Sequence, residues 1–151
     1  MAVTIAPAVE AMQFLRERIN DGGAYCLPIV AQYTEQVIDP LEEITDVRVD
    51  VASEAEETLD DTLDVENRTS HVLRIWVRAK VAAADNDAID SLKLLVRQIF
   101  QRVNNADSTD GRVQVWDCDL EDGQNPDKDI LQQAWLFVSS LVLRLEVAAS
   151  A

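Results

Sequence analysis

The sequence predicts an α+β fold, a mostly antiparallel sheet with two helices packed on one face. Three observations predict it. Two stretches repeat apolar residues at helical spacing, Pro7 to Asn20 and Asp87 to Asn104. Others alternate apolar and charged residues with a period of two, above all Asp46 to Val51 and Thr69 to Ala82. The strand-like stretches follow one another through short polar connections, which favours antiparallel pairing. The 151 residues suit a single domain, 1–151, and a chain of that length buries roughly 70% of its unfolded surface. Apolar residues make up 48% of it, enough to build a core.

The elements follow in order. Pro7 suits the first turn of a helix, where its missing N–H costs nothing. Ala8, Met12, Leu15 and Ile19 recur behind it, with Phe14 beside them, until Asn20-Asp21-Gly22-Gly23 ends the run. Within Tyr25 to Ile38, Ile29, Ala31, Tyr33 and Glu35 alternate with Val30, Gln32 and Thr34, a short strand. Asp39-Pro40 breaks it, and Leu41-Glu42-Glu43-Ile44 reads as one helical turn. In Asp46-Val47-Arg48-Val49-Asp50-Val51 the valines take one face and Asp46, Arg48 and Asp50 the other. Ser53 to Arg68 carries Glu54, Glu56, Glu57, Asp60, Asp61, Asp64 and Glu66 and no long apolar period. It is expected to be a long acidic loop or an extended hairpin arm.

The next strand sets Leu73, Ile75, Val77, Ala79 and Val81 against Arg74, Trp76, Arg78 and Lys80. Asp85-Asn86-Asp87 offers helix caps, and Ile89, Leu92, Val96, Ile99 and Val103 then follow at helical spacing, reinforced by Leu95 and Phe100. Arg112 to Trp116 reads as a strand and Asp117 to Asp129 as a polar loop. The closing strand, Trp135 to Val147, puts Leu141, Leu143, Leu145 and Val147 on one face and Val142, Arg144 and Glu146 on the other. The sheet face away from the helices is thus expected to carry Arg48, Arg74, Trp76, Arg78, Lys80, Arg144 and Glu146.

The formal net charge is −15. Nucleic acid is a poor partner at that charge, because its binding starts with basic groups displacing counterions from phosphates. Anionic membranes are disfavoured for the same reason, and basic protein surfaces are favoured. Acidity that only keeps the protein soluble is the plainer reading. Cys26 and Cys118 do not make a disulfide framework, which points to a reducing compartment. Met1 to Glu10 lacks the basic start and apolar run of a signal peptide, and the longest apolar stretch, Ala134 to Val147, is too short to span a bilayer. A soluble, intracellular protein is expected. The sequon Asn67-Arg68-Thr69 then reads as chance.

Chemistry is sparse. His71, the single histidine, stands at a strand start with no nucleophile-elbow pattern to serve, and reads as a histidine satisfied by a neighbour. Asp117, Asp119, Glu121 and Gly123 superficially suggest a calcium loop, but the glycine falls one position late and Lys128 stands where the closing glutamate belongs. A solvated acidic loop, or weak divalent-ion binding by clustered carboxylates, remains. Cys26 and Cys118 have neither C-x-x-C spacing nor a nearby histidine. With four glycines the chain has no P-loop or dinucleotide fingerprint. No enzyme activity, metal or cofactor is expected. Trp76, Trp116 and Trp135 are interface anchors or ordinary core residues, and Trp76 stands out by lying on the charged face of its strand.

Four features in order resemble the tail terminators of long-tailed bacteriophages, small proteins of the head–tail junction. They are Tyr33-Thr34-Glu35 leading to Asp39-Pro40-Leu41-Glu42-Glu43-Ile44 and the strand Asp46 to Val51; an acidic insertion followed by the strand His71 to Val81 with alternating Arg and Lys; the acidic-capped helix with Ala88-Ile89-Asp90-Ser91-Leu92, ending near Val103; and the closing strand Phe137-Val138-Ser139-Ser140-Leu141-Val142-Leu143. The likeness covers about Ile29 to Val147 and is one of elements and spacings. The stretches Ala52-Ser53-Glu54 and Ala31-Gln32 depart from it where the family often has a proline and a basic residue.

The resemblance implies a ring, typically of six subunits, that caps the tail tube, stops its elongation and offers a docking surface to the neck or head completion proteins. Its partners are then other copies of the chain, the tail tube protein and the neck, and its place is the virion. A head-to-tail contact that closes by rotation builds such a ring. Interface residues are then expected at Arg48, Glu54, Glu56, Glu57, Asp60, Asp61, Arg74, Trp76, Arg78 and Lys80. A neck or head completion protein is the alternative within this class. An acidic binding module for a basic protein is the alternative outside it.

Overall fold

The computed structural model describes residues 6–21, 24–33, 47–59, 68–82, 85–109, 111–120 and 136–148, without the side chains of 56–59 and 68. Pro7 opens α1, Pro7–Asn20, and the buried positions Ala11, Met12, Leu15 and Ile19 form one stripe along it. The second helix, α2, spans Asn86–Val103 and buries Leu92, Leu95, Val96, Ile99 and Val103. Its N-cap is Asp85, whose carboxylate accepts the Ala88 N–H at 3.1 Å. The helices end side by side, and their last turns cap each other: Arg18 Nε donates to the Arg102 carbonyl at 3.0 Å and Arg102 Nε to the Arg18 carbonyl at 2.9 Å. Each cation satisfies a carbonyl at the negative end of the other helix.

Among the described residues five strands make one sheet: β1 (Ala31–Tyr33), β2 (Arg48–Leu59), β3 (Arg68–Lys80), β4 (Val113–Leu120) and β5 (Leu136–Ala148), in the order β1-β2-β3-β5-β4. All neighbours pair antiparallel except β1 and β2, which run parallel. The expected α+β architecture is therefore present. The longest ladder joins β3 to β5 from Arg68↔Ala148 to Lys80↔Leu136. Both helices bury their stripes on one face of the sheet, against Val49 and Val51, Leu73, Ile75 and Val77, Val113 and Val115, and Leu141, Leu143 and Leu145. A smaller cluster of Leu136, Val138 and Trp76 lies on the opposite face.

Of the two forms expected for Ser53 to Arg68, the pairing up to Leu59 is that of a hairpin arm: β2 runs on through the acidic Ser53–Leu59 stretch, pairing with β3 as far as Leu59↔Arg68, with a bulge between Ser53 and Ala55. One boundary differs from expectation. β4 continues past Trp116 to Leu120, with a bulge between Val115 and Asp117. The expected turn at Leu41 to Ile44, the residues of the expected polar loop from Glu121 onward, and Trp135 lie outside the described residues.

Candidate functional site

Antiparallel pairing puts alternate residues on one face, so β2, β3 and β5 carry their charged positions to the face away from the helices. Asp50 sits there between two arginines. Its Oδ2 accepts from Arg48 Nε and from Arg78 Nη2, both at 2.9 Å. Asp50 and Arg78 are both sealed from solvent, at 1% and 2% side-chain exposure, whereas Arg48 keeps 47%. Asp50 Oδ1 is buried without a hydrogen-bond partner among the described residues. Farther along the face, Arg74 grips Glu54 through Nε–Oε1 at 2.5 Å and Nη2–Oε2 at 3.4 Å. Its Nη1 donates to Ser140 Oγ at 2.9 Å, and its guanidinium lies 5.2 Å from the centre of the Trp76 ring.

These contacts sort the residues the sequence singled out. Arg48, Glu54 and Lys80 are exposed. Arg74 and Trp76 are half-buried, held by Glu54, Ser140 and each other. Glu56 and Glu57 lie in β2 opposite His71 and Ser70. Asp60 and Asp61 lie outside the described residues. Arg78 needs a correction: it stands on the expected face, but it is a buried ion-pair member, not an open cation. The alternation gives the face of a residue and not the cover over that face. The alternation alone makes Asp50 one polar position among three; its place between Val49 and Val51, both buried, is the sequence signal beside it.

Elsewhere the described residues offer little chemistry. His71 is buried on the helix side of β3, its Nε2 2.7 Å from Thr69 Oγ1. No three His, Cys, Asp or Glu side chains among the described residues converge to hold a metal. Cys118 points into the core. Burial, and secondarily the Asp119 and Asp117 carboxylates, push its thiol up to about 12, so it is inert as a nucleophile at neutral pH. Cys26 is exposed, its Sγ 3.3 Å from the Ser91 carbonyl. A cleft of about 270 Å³ opens where the helices end, but its arginines, Arg18 and Arg102, are engaged on carbonyls and Glu17, Asp21 and Asp107 share its rim. No helix among the described residues is long and apolar enough to cross a membrane.

The fold has a counterpart in an assembled particle. A chain in the virion of a native gene transfer agent (GTA) particle matches this one with a TM-score of 0.54 at 18% identity, covering 98% of this chain and 100% of that one. At that identity the match shows a shared fold. It runs the length of both chains, so the likeness is one of whole folds and not of a single motif. No family model and no curated protein matches the sequence.

Proposed function

We propose that this chain is a structural protein of a phage-like virion that works by assembly and not by catalysis. Within that class it is read as a tail terminator: a ring of six copies that caps the tail tube, halts its growth and receives the neck. The observation that carries the reading is the full-length fold match to a chain of the gene transfer agent virion. The order of elements that resembles tail terminators narrows it. The sheet face with Arg48, Glu54 and Lys80 exposed beside the Arg74–Trp76 pair is the surface assigned to neighbouring copies or to the tube.

The test is co-assembly. Tail tube protein polymerised alone should give tubes of unlimited length. Adding this protein should cap them, with a ring visible at one end by electron microscopy. A ring found on head connectors and absent from tubes would favour the neck or head completion reading. Capture of basic proteins by a monomer, with no effect on tubes, would favour the binding module.

A further inference from the structure

Among the described residues, two devices cover parts of the sheet's outer edges and two stretches have no partner. On the outer side of β1, the Asn20 side chain takes both backbone groups of Ala31: its Oδ1 accepts the Ala31 N–H at 2.8 Å and its Nδ2 donates to the Ala31 carbonyl at 3.1 Å. On the outer side of β4, Ser108 N–H donates to the Val113 carbonyl and Val115 N–H to the Ala106 carbonyl, both at 2.8 Å. Beyond Val115 nothing among the described residues pairs with that edge. The bulge sets Trp116 and Asp117 side by side on the outside, with Trp116 59% exposed and Asp117 and Asp119 exposed beside it. The alternation that turns Val113 and Val115 backbone groups outward resumes past the bulge at Cys118 and Leu120, whose side chains lie on the helix side. The outer edge of β2 beyond Val51 also has no partner among the described residues. It is bulged and carries Glu54, Glu56 and Glu57, just as the β4 edge is bulged and carries Asp117 and Asp119. The β4 edge differs by presenting a large exposed aromatic residue.

We propose that the β4 edge from Trp116 to Leu120 is a docking edge for an extended, basic segment of another protein, which adds to the sheet as a sixth strand. Backbone groups at Cys118 and Leu120 supply the ladder, Trp116 is the apolar anchor, and Asp117 and Asp119 meet lysine or arginine side chains of the incoming strand. Arg144 lies across from Asp117 on β5, and the pair of aspartates leaves this stretch acidic all the same. A second copy is a poor occupant, since its own open edge is acidic and each copy carries −15. The proposal goes beyond the virion reading and does not rest on it.

Amide exchange followed by NMR on the full chain tests it, with a short acetylated peptide of alternating lysine and valine as the probe. The control is a peptide of equal charge with proline in place of valine, which cannot donate to a ladder. The first peptide should slow exchange at the Cys118 and Leu120 amides, and the control should not. Trp116→Ala should weaken binding about tenfold while leaving the fold intact. Equal binding of both peptides, or an unchanged affinity in Trp116→Ala, would reduce the edge to a charged surface and overturn the proposal. Protection of the same amides that rises with protein concentration in the absence of peptide would hand the edge to a second copy, and would overturn it too.

Discussion

Asp50 holds two cations with one oxygen while buried, and this decides how the charged face responds to mutation. A buried ion pair adds little net stability when intact, because desolvation offsets attraction, but removing one partner strands the other. Asp50→Ala should therefore destabilise the protein by about 3–5 kcal/mol in urea melts, and Arg78→Glu should do at least as much. Charge reversal at Arg78 thus tests folding before it tests any interface. Lys80→Glu is the substitution that should alter the proposed assembly at nearly unchanged stability, since its side chain reaches solvent, whereas Arg48→Glu would also set a second carboxylate against buried Asp50. The two cysteines make a second prediction. A thiol reagent at neutral pH should label Cys26 and spare Cys118 until the chain unfolds. The Cys118 thiol is pushed from its ordinary 9.0 to about 12, so its protonated form is favoured in the fold; that contribution is complete below about pH 9 and lost as pH rises toward 12. Wild type should lose stability more steeply across that window than Cys118→Ala. At this scale the sequence told which face a residue takes and little more. Asp50 and Arg48 share a face by alternation alone, yet one is buried and the other open, and only the packing over each decides that.

The elements were legible wherever one period dominated. Both helices match the expected spans closely, because a 3.6-residue apolar stripe, a proline at the start of α1 and an aspartate cap on α2 all agree. The sequence leaves Ser53 to Arg68 open between a loop and a hairpin arm and does not show the end of β4, each for its own reason. Ala52-Ser53-Glu54-Ala55-Glu56-Glu57 has weak intrinsic strand preference, and its strand state comes from pairing with β3. In β4 the bulge places Trp116 and Asp117 outward in succession, which breaks the period-two signal where the strand in fact continues. Two predictions belong to elements. Asp85→Ala should cost about 1 kcal/mol of stability through loss of the α2 cap, read by thermal or denaturant melts. Asn20→Ala should free both backbone groups of Ala31. Because β1 pairs with β2 over only three residues, its amides should then exchange much faster while those of β3 and β5 stay protected.

For the whole molecule the controlling quantity is charge. Each copy carries −15 in a mass of 16.8 kDa, so six copies would gather −90 in about 101 kDa. Like charge at that density opposes any closed assembly of identical subunits over distances set by screening. The Debye length falls from about 10 Å at 0.1 M salt to about 3 Å at 1 M, and the repulsion falls with it. The contacts on the charged face act at close range. The Asp50–Arg78 pair is buried and nearly insensitive to that change. If copies associate through the face with Arg48, Glu54 and Lys80, association should therefore strengthen with salt and not weaken. Light scattering across that range should show the mass rising from one copy toward six, with the midpoint moving to lower salt when Glu54 is replaced by glutamine. A mass that falls as salt rises would mean that opposite charges across the contact outweigh the overall repulsion. Lys80→Glu would then abolish the oligomer at low salt, where the wild-type contact is strongest. On the proposed tail-terminator reading, a single copy at every salt concentration would mean that the ring forms only on the tube, where the tube's own charge sets the sign.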